Sequence, residues 1–226
     1  MAGILFIISA PSGSGKSTLV SEVRRLVTGL EFSISYTTRA PRGSEQDGQE
    51  YHFTTREEFL AMVDRGEFLE WAEVFGNFYG TPMSGLATAT KQGRDLLLDI
   101  DVQGALQVME RVPNAVSIFI LTPNPQELEK RLRLRSQGEG VTQEAVIERR
   151  LSEARLELLN LDRYQYALVN DVVMDAAAEM RAIVLTERGE GGPEEQLLAQ
   201  RCLTETMSEH LRAALGSFEV ELAGSR

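Results

Sequence analysis

An apolar run that leads straight into a glycine-rich turn is the feature that most restricts how this chain can fold. Residues 4–8 read ILFII, and residues 11–18 read PSGSGKST. The first run predicts a buried strand, and the second predicts a loop whose backbone N–H groups converge on an anion. The helix expected after the loop adds its positive N-terminal end. Together they predict a site for the phosphates of a nucleoside triphosphate.

Two side chains of this loop extend the predicted chemistry. Lys16 can reach farther along the phosphates, and the Ser17 hydroxyl can serve Mg²⁺. Ala10 stands where the general motif has glycine, a replacement that costs little if φ is negative there. The loop residues that we predict to contact the nucleotide are Ala10, Pro11, Ser12, Gly13, Ser14, Gly15, Lys16 and Ser17.

Strand and helix patterns alternate at both ends of the chain. This alternation is typical of an α/β fold in which helices cover both faces of a parallel sheet. We expect strands at residues 4–9, 96–101, 116–121 and 166–169. We expect helices at residues 16–27, 56–64, 82–92, 125–136, 143–160 and 175–188.

Other stretches depart from this alternation. Residues 35–80 are polar and rich in glycine, arginine and aromatic residues, with a hairpin-like segment at 74–79, and predict an inserted substrate domain around a small antiparallel sheet. Residues 133–150 predict a mobile lid. Residues 189–193 form a linker before one amphipathic helix at 194–215. The predicted domains are core 1–34, substrate domain 35–81, core 82–124, lid 125–156, core 157–188, and linker with helical extension 189–226.

Composition excludes several classes of protein. The 226 residues suffice for a sizeable core, and no apolar run approaches the ~20 residues that a membrane span requires. A net charge of −11 argues against a nucleic-acid-binding surface. The single cysteine, Cys202, cannot form an internal disulfide, and no secretory signal precedes the first strand. We therefore expect a cytoplasmic protein with no membrane or nucleic-acid partner.

Two carboxylates end the predicted strand at residues 96–101. Alternation along this strand places Asp99 and Asp101 on one face, at the sheet edge where open α/β folds bind ligands. One could hold Mg²⁺ or its waters, and the other could contact a second substrate. The alternative is that the acidic residues merely end a strand.

Paired arginines follow in the predicted substrate domain. Arg39 and Arg42 lie three residues apart around Pro41, and Tyr51 follows nine residues later. Guanidinium forks suit bidentate contact with a phosphate, and a tyrosine hydroxyl can donate to the same anion. Solvated loop arginines and a tyrosine that packs within a strand are the alternative interpretation.

A carboxylate interrupts the apolar face of a predicted strand at residues 68–75. By alternation Glu70 shares the face of Phe68 and the other apolar residues, where a charge needs a partner. Guanine presents two adjacent donors, its ring N–H and its exocyclic amine, which one carboxylate accepts at once. An exposed edge strand that leaves Glu70 in water is the alternative. Trp71 and Phe75 occupy the other face and are predicted to be core residues.

The predicted lid carries arginines that could close over a transferring phosphoryl group and stabilise its charge. Arg131 and Arg135 share a helix face at i,i+4, and Arg149 and Arg150 follow. A solvated basic stripe neutralised by glutamates is the alternative. Because no nucleophile–base pair is evident in the sequence, we expect transfer by positioning and electrostatics without a covalent intermediate.

Six ordered motifs make the chain resemble guanylate kinase of the bacterial type over about residues 4–188. They read SAPSGSGKS (9–17), SYTTRAPR (35–42), FLEWAE (68–73), GNFYGT (76–81), DIDVQG (99–104) and VND (169–171). The resemblance implies a three-layer P-loop nucleoside-monophosphate kinase core with a parallel sheet, an inserted GMP-binding domain and a lid. It also implies MgATP-dependent phosphorylation of GMP, with GDP and ADP as products.

The resemblance assigns a role to each motif residue. The implied guanine contacts are Ser35, Glu70, Thr81 and Asp101, and the implied contacts of the GMP phosphate are Arg39, Arg42, Tyr51 and Tyr79. Magnesium would be served by Ser17 with Asp99 or Asp101. The adenosine side of ATP would be lined by Arg131, Asn170 and Asp171. The implied catalytic residues are Lys16, Arg42, Arg135 and Arg150.

The chain also departs from the family pattern. Ser136 stands where the family usually has glycine after a lid arginine, and the extension after residue 189 is longer than expected. Whether that extension packs on its own core or pairs with another subunit stays open, as does the use of dGMP. A kinase for another acceptor and a non-catalytic guanylate-kinase-like module that docks partner proteins are the alternatives, and the intact Gly13, Gly15, Lys16 and Ser17 favour a kinase.

Overall fold

The computed structural model describes residues 3–138 and 144–220. Within these ranges the strands are β1 (Leu5–Ser9), β2 (Leu30–Phe32), β3 (Tyr36–Thr37), β4 (His52–Phe53), β5 (Phe68–Val74), β6 (Asn77–Pro82), β7 (Asp95–Asp99), β8 (Val116–Leu121) and β9 (Tyr166–Val169). The α-helices there are α1 (Lys16–Leu26), α2 (Arg56–Asp64), α3 (Met83–Gln92), α4 (Val102–Arg111), α5 (Pro125–Gly138), α6 (Glu144–Leu158), α7 (Val173–Glu187), α8 (Pro193–Arg201) and α9 (Glu209–Ser217).

Five of the strands form a sheet in the order β2-β7-β1-β8-β9. The pairs β2–β7 and β8–β9 run parallel, and β1 and β8 are buried along their whole lengths. The predicted α/β class with a parallel sheet is confirmed. The first residue of the predicted helix 143–160, Gln143, lies outside the described residues, and α6 follows it directly.

The structure differs from the prediction in the elements around β7. Strand β2, which pairs with β7, and helix α4, which follows it, were not predicted. Strand β7 ends at Asp99, two residues earlier than expected, because Asp101 is the N-cap of α4 and its carboxylate accepts a hydrogen bond from the N–H of Gly104 at 2.8 Å. The prediction that both carboxylates lie on the strand is therefore wrong.

The chain divides into two compact units. Residues up to Ile7 and Gly29–Ala115 form the first unit, and Ile8–Thr28 with the residues from Val116 onward form the second. The first contains a second sheet of order β4-β3-β6-β5. This sheet is mixed, because β3 and β4 pair in parallel whereas β3–β6 and β5–β6 are antiparallel. The prediction of a small antiparallel sheet is corrected in this one pairing.

The predicted hairpin at residues 74–79 is confirmed as the β5–β6 connection. Val74 pairs with Asn77 across a two-residue turn in which Phe75 and Gly76 have φ of 51° and 79°. Positive φ at both turn positions matches the twist of antiparallel strands. Phe75 is 45% exposed at this turn, so its assignment to the core is wrong.

A β-bulge in β5 changes which residues share a face. The register shifts between Phe68 and Glu70, so Phe68 lies on the side of Trp71 rather than on that of Glu70. Both rings contact Phe59 of α2, with ring centroids 4.5 Å and 6.5 Å away. Trp71 is 37% exposed at the rim of this cluster and is not the core residue that was predicted. Glu70 therefore lies on the face of β5 opposite to these aromatic rings.

Helices α1 and α7 pack together in the second unit, and α5 packs on α6. The amide oxygen of Asn124 accepts a hydrogen bond from the N–H of Glu127 at 2.8 Å, which satisfies one free donor at the start of α5. The predicted lid at 125–156 contains α5 and all but the last two residues of α6, and its residues 139–143 lie outside the described part of the chain. Its mobility stays a prediction.

The C-terminal extension packs within the second unit, α8 against α7 and α9 against β9. The predicted single helix at 194–215 is wrong. The chain leaves the helix after Arg201 because the backbone turns to pair with the start of β9: the N–H of Ala167 donates to the Cys202 carbonyl at 2.8 Å, and Leu203 bridges Tyr166. Ser208 then caps α9, since its side chain accepts from the N–H of Leu211.

Over the described ranges, no helix combines the length and the apolarity that a membrane crossing requires.

Candidate active site

The glycine-rich loop lies between β1 and α1 in the second unit. Gly13 and Gly15 adopt φ of 92° and 84°, and Gly15 is the N-cap of α1. These left-handed positions let neighbouring N–H groups turn toward one side, as in an anion nest. Lys16 and Ser17 form the first turn of α1, Ser17 with its side chain exposed. Ala10, Pro11 and Ser14 are buried and Ser12 is half-buried.

Asn170 and Arg131 both bind the backbone of this loop. The Asn170 Nδ2 donates to the carbonyl of Ser14 at 2.8 Å, and an Nη1 of Arg131 donates to the same oxygen at 3.3 Å. Arg131 is oriented by Glu127, whose Oε1 is 2.8 Å from its Nε. The structure therefore brings together two of the three predicted adenosine-side residues. The third, Asp171, is exposed next to Asn170, where β9 ends.

Close packing explains both glycines of the loop. A Cβ on Gly15 would stand 2.6 Å from the Asn170 Nδ2, and a Cβ on Gly13 would stand 2.9 Å from Leu132 of α5. Both distances are shorter than Cβ contacts in proteins. Among the described residues, the buried Ser14 Oγ and Asn170 Oδ1 have no hydrogen-bond partner. The loop thus has polar atoms that a bound ligand can satisfy.

The predicted lid arginines lie in different surroundings. Arg135 is exposed, and an Nη1 of Arg150 is 3.4 Å from the Oγ of Ser136, a buried residue in the last turn of α5. Arg149 pairs with Glu153 at 2.9 Å, as expected for a solvated basic stripe. The structure brings Arg150 and Ser136 together.

Glu70 is buried in the first unit, with 3% of its surface exposed. Its Oε1 accepts a hydrogen bond from the Thr81 Oγ1 at 2.5 Å, and the Ser35 Oγ lies 3.5 Å from that hydroxyl. Strand pairing accounts for this row, since Thr81 of β6 lies opposite Glu70 of β5. The structure therefore brings together three of the four predicted guanine contacts. The alternative of a solvent-exposed Glu70 is wrong.

Burial raises the pKa of Glu70 to about 7. Three effects are smaller than that of burial: the hydrogen bond from Thr81 lowers this pKa, the carboxylate of Asp101 raises it, and the charge of Arg111 lowers it. Burial therefore costs the ionised carboxylate more than its hydrogen bonds with Thr81 and the charge of Arg111 return. A ligand with two adjacent N–H groups would stabilise the ionised form further.

The paired arginines and two tyrosines form a second cluster in the first unit. Arg39 is 9% exposed; its guanidinium lies 5.4 Å from the centre of the Tyr51 ring, which meets the Tyr79 ring edge-on at 5.9 Å. Burial lowers the pKa of Arg39, but Glu45 and Tyr79 outweigh this effect and the pKa is raised overall. The side chain of Arg42 is exposed on the same turn.

Glu45 also belongs to this cluster and was not predicted from the sequence. Its Oε1 lies 2.9 Å from an Nη2 of Arg39, and its Oε2 accepts from the N–H of Arg42 at 2.8 Å. Thr37, fully buried, accepts from the N–H of Arg39. An acidic residue three positions after Arg42 was the available signal for Glu45. The carboxylate occupies an anion-binding position between the two arginines.

The remaining candidate ligands for Mg²⁺ are Asp99 and Asp101. Asp99 is half-buried at the end of β7, whereas one oxygen of Asp101 is engaged at the N-cap of α4. Within residues 3–138 and 144–220, no group of three or more His, Cys, Asp or Glu side chains could hold a metal.

The sequence profile of the family described as guanylate kinase matches residues 3–187. This chain belongs to the guanylate kinase family. The guanylate kinases of Koribacter versatilis and Dechloromonas aromatica are 59% and 48% identical to it over 188 and 184 residues. These alignments cover 83% and 81% of this chain and 80% and 89% of the relatives.

A solved structure agrees with this membership. The crystal structure of guanylate kinase from Anaplasma phagocytophilum has a TM-score of 0.66 and 34% sequence identity, and the match covers 88% of this chain and 95% of that one. The resemblance predicted from the six motifs is confirmed. The family profile ends at residue 187, so helices α8 and α9 lie beyond it.

Proposed function

We propose that this guanylate kinase family member transfers a phosphoryl group from ATP to GMP and produces ADP and GDP. The observation that carries the proposal is the buried carboxylate of Glu70 beside the hydroxyls of Thr81 and Ser35. A carboxylate is costly to bury, and a base that donates two hydrogen bonds to it would offset that cost.

Guanine fits this carboxylate by its pattern of donors. Its ring N–H and exocyclic amine are adjacent, and two carboxylate oxygens accept both. Adenine presents an acceptor at its ring nitrogen, which an ionised Glu70 would repel. Guanine is preferred over adenine because adenine would leave buried polar groups of the site without hydrogen-bond partners, which costs more than a lost apolar contact. Asp101, also assigned to the guanine, influences the pKa of Glu70.

The phosphate of GMP is assigned to the cluster of Arg39, Arg42, Tyr51 and Tyr79. Glu45 already lies against Arg39 and the N–H of Arg42, which supports an anion-binding role for this turn. A phosphate dianion would make stronger charge-assisted hydrogen bonds than a single carboxylate. We assign to Glu45 the role of keeping Arg39 oriented before GMP arrives.

ATP is assigned to the glycine-rich loop and to the residues that hold it. Lys16 and the loop amides would bind the phosphates, and Arg131, Asn170 and Asp171 would line the adenosine side. The buried Ser14 Oγ and Asn170 Oδ1, unpartnered among the described residues, support a ligand at this loop. Catalysis then rests on charge stabilisation at the transferring group by Lys16, Arg42, Arg135 and Arg150.

Magnesium suits the oxygen donors that the chain offers. Mg²⁺ takes most of its ligands from phosphates and water, with one or two from the protein, and Ser17 with Asp99 or Asp101 would supply these. When bound, the ion would neutralise phosphate charge. We propose the cytoplasm as the location, where a buried thiol such as Cys202 stays reduced.

A coupled assay for ADP release over a panel of nucleoside monophosphates tests the proposal. We expect turnover with GMP far above that with AMP, CMP or UMP, and dGMP belongs in the panel because the site assigned here reads the base. Preference for another monophosphate would support the alternative acceptor. The absence of turnover with every one, in protein that binds GMP, would support the non-catalytic docking module.

A further inference from the structure

One face of helix α4 contacts strand β5 on both sides of Glu70. Gly104, Gln107 and Arg111 follow at spacings of three and four residues, so they lie on the same side of the helix. Each of the three meets a different part of β5. The helix was not predicted from the sequence. Gln107 and Arg111 belong neither to the site residues assigned above nor to the six motifs, so their contacts with β5 need another explanation.

Strand β5 is one of the two edge strands of its sheet, and its outward carbonyls need partners from elsewhere. The Gln107 Nε2 donates to the carbonyl of Trp71 at 2.9 Å. An Nη1 of Arg111 donates to the carbonyl of Leu69, at the β-bulge. The backbone is thus held on either side of Glu70, where the bulge turns that residue onto the face of Thr81.

Gly104 contacts the carboxylate itself. A Cβ at this position would lie 2.3 Å from the Glu70 Oε2 and 2.8 Å from its Cδ. The carboxylate therefore occupies the space in which any other residue would place its side chain. Since Gly104 lies in the first turn of α4, the adjacent positive end of the helix also favours the ionised form of Glu70.

We propose that this face of α4 determines guanine specificity by positioning Glu70, with Gly104 and Arg111 as positioning residues. Gly104 leaves the space for the carboxylate, and Arg111 holds the bulge that directs it. This inference rests on the proposed function, because it explains how the guanine-binding carboxylate is held.

Steady-state kinetics of Gly104→Ala, Arg111→Met and Arg111→Lys test the inference, with GMP, IMP and ATP as varied substrates. IMP keeps the ring N–H of guanine and lacks the exocyclic amine. We expect Gly104→Ala to raise the KM for GMP about tenfold to a hundredfold, the effect of losing hydrogen bonds to a charged group. The KM for ATP should stay the same, and the ratio of kcat/KM for GMP over IMP should fall.

Matched variants separate positioning from general damage. Gly216→Ala replaces a helical glycine of α9 whose added Cβ would meet nothing within 4 Å, so its kinetics should equal those of the wild type. Arg111→Met should lower the GMP-to-IMP ratio in the same direction as Gly104→Ala, and Arg111→Lys should restore part of it through its remaining donor. If Gly104→Ala fails to fold, as judged by circular dichroism, the kinetics of Arg111→Met and Arg111→Lys decide whether the inference holds.

An unchanged GMP-to-IMP ratio in the folded variants, with an active wild type, would overturn the inference and leave the proposed function standing. A wild-type protein without GMP turnover would instead refute the proposed function, and the inference with it.

Discussion

Replacing Glu70 by glutamine should weaken GMP use and at the same time change how stability depends on pH. Glutamine keeps one acceptor and presents a donor where the second carboxylate oxygen was. Two donors then face each other across the guanine edge. The loss of a charge-assisted hydrogen bond and the unpaired donor together amount to about 2–4 kcal/mol, which predicts a fall in kcat/KM for GMP of roughly 30- to 1000-fold.

The stability effect follows from the pKa of Glu70, which burial raises from 4.5 to about 7. A carboxyl whose pKa is raised by folding binds more protons in the native state than in the unfolded state between these values. The wild type therefore loses stability as pH rises from about 4.5 through 7, by up to about 3 kcal/mol. Glutamine cannot titrate, so the Glu70→Gln variant lacks this loss.

Thermal unfolding at pH 5 and at pH 8 measures the difference. The melting temperature of the variant minus that of the wild type should be higher at pH 8 than at pH 5, by on the order of 6–12 °C. Glu73→Gln, an exposed position on the same strand, is the matched control and should show no such gain. Wild-type kcat/KM for GMP in the Glu70→Gln variant would rule out the predicted contact with guanine. An equal difference in melting temperature between variant and wild type at both pH values would rule out the raised pKa of Glu70.

Four further substitutions have expected outcomes. Lys16→Ala should lower kcat by about a thousandfold or more with little change in melting temperature, since Lys16 is assigned to stabilise the charge of the transferring phosphoryl group. An unaffected rate would favour the docking module. Gly15→Ala should cost about 1–3 kcal/mol of stability and impair ATP use, because φ is 84° and Asn170 is in the way, whereas Gly216→Ala should do neither. Arg39→Lys should raise the KM for GMP about tenfold and spare that for ATP, because lysine lacks the bidentate fork; equal effects on both would contradict the phosphate assignment. Thr204→Val should reduce the free energy of unfolding by about 1–2 kcal/mol and so lower the melting temperature, because the Thr204 hydroxyl donates to the Tyr164 carbonyl where the tail joins β9; activity at 25 °C should persist.

Local patterns predicted the elements that depend on neighbouring residues. The apolar run and the glycine-rich loop identified β1 and the start of α1, and the turn at Phe75 and Gly76 identified the hairpin. The helix expected at residues 56–64 is α2, and Thr55 caps it, with the Thr55 hydroxyl accepting from the N–H of Glu58. These features are decided by backbone sterics and short-range hydrogen bonds, which the sequence records directly.

Features that depend on distant pairing were not predictable in the same way. The β5 bulge adds one residue opposite β6, and simple alternation therefore placed Glu70 on the face of Phe68. The break after Arg201 exists because Cys202 and Leu203 pair with the start of β9, which no local pattern at 194–215 reveals. Arg111 likewise meets the Leu69 carbonyl only because α4 packs on β5.

A crystal structure of the protein with GMP bound would show whether Glu70 binds the base. We expect the guanine ring N–H and exocyclic amine to donate to the two carboxylate oxygens of Glu70 at about 2.7–3.2 Å, with the phosphate on Arg39 and Tyr79. Guanine bound away from Glu70, with its donor edge satisfied by other groups or by water, would rule out Glu70 as the residue that selects guanine.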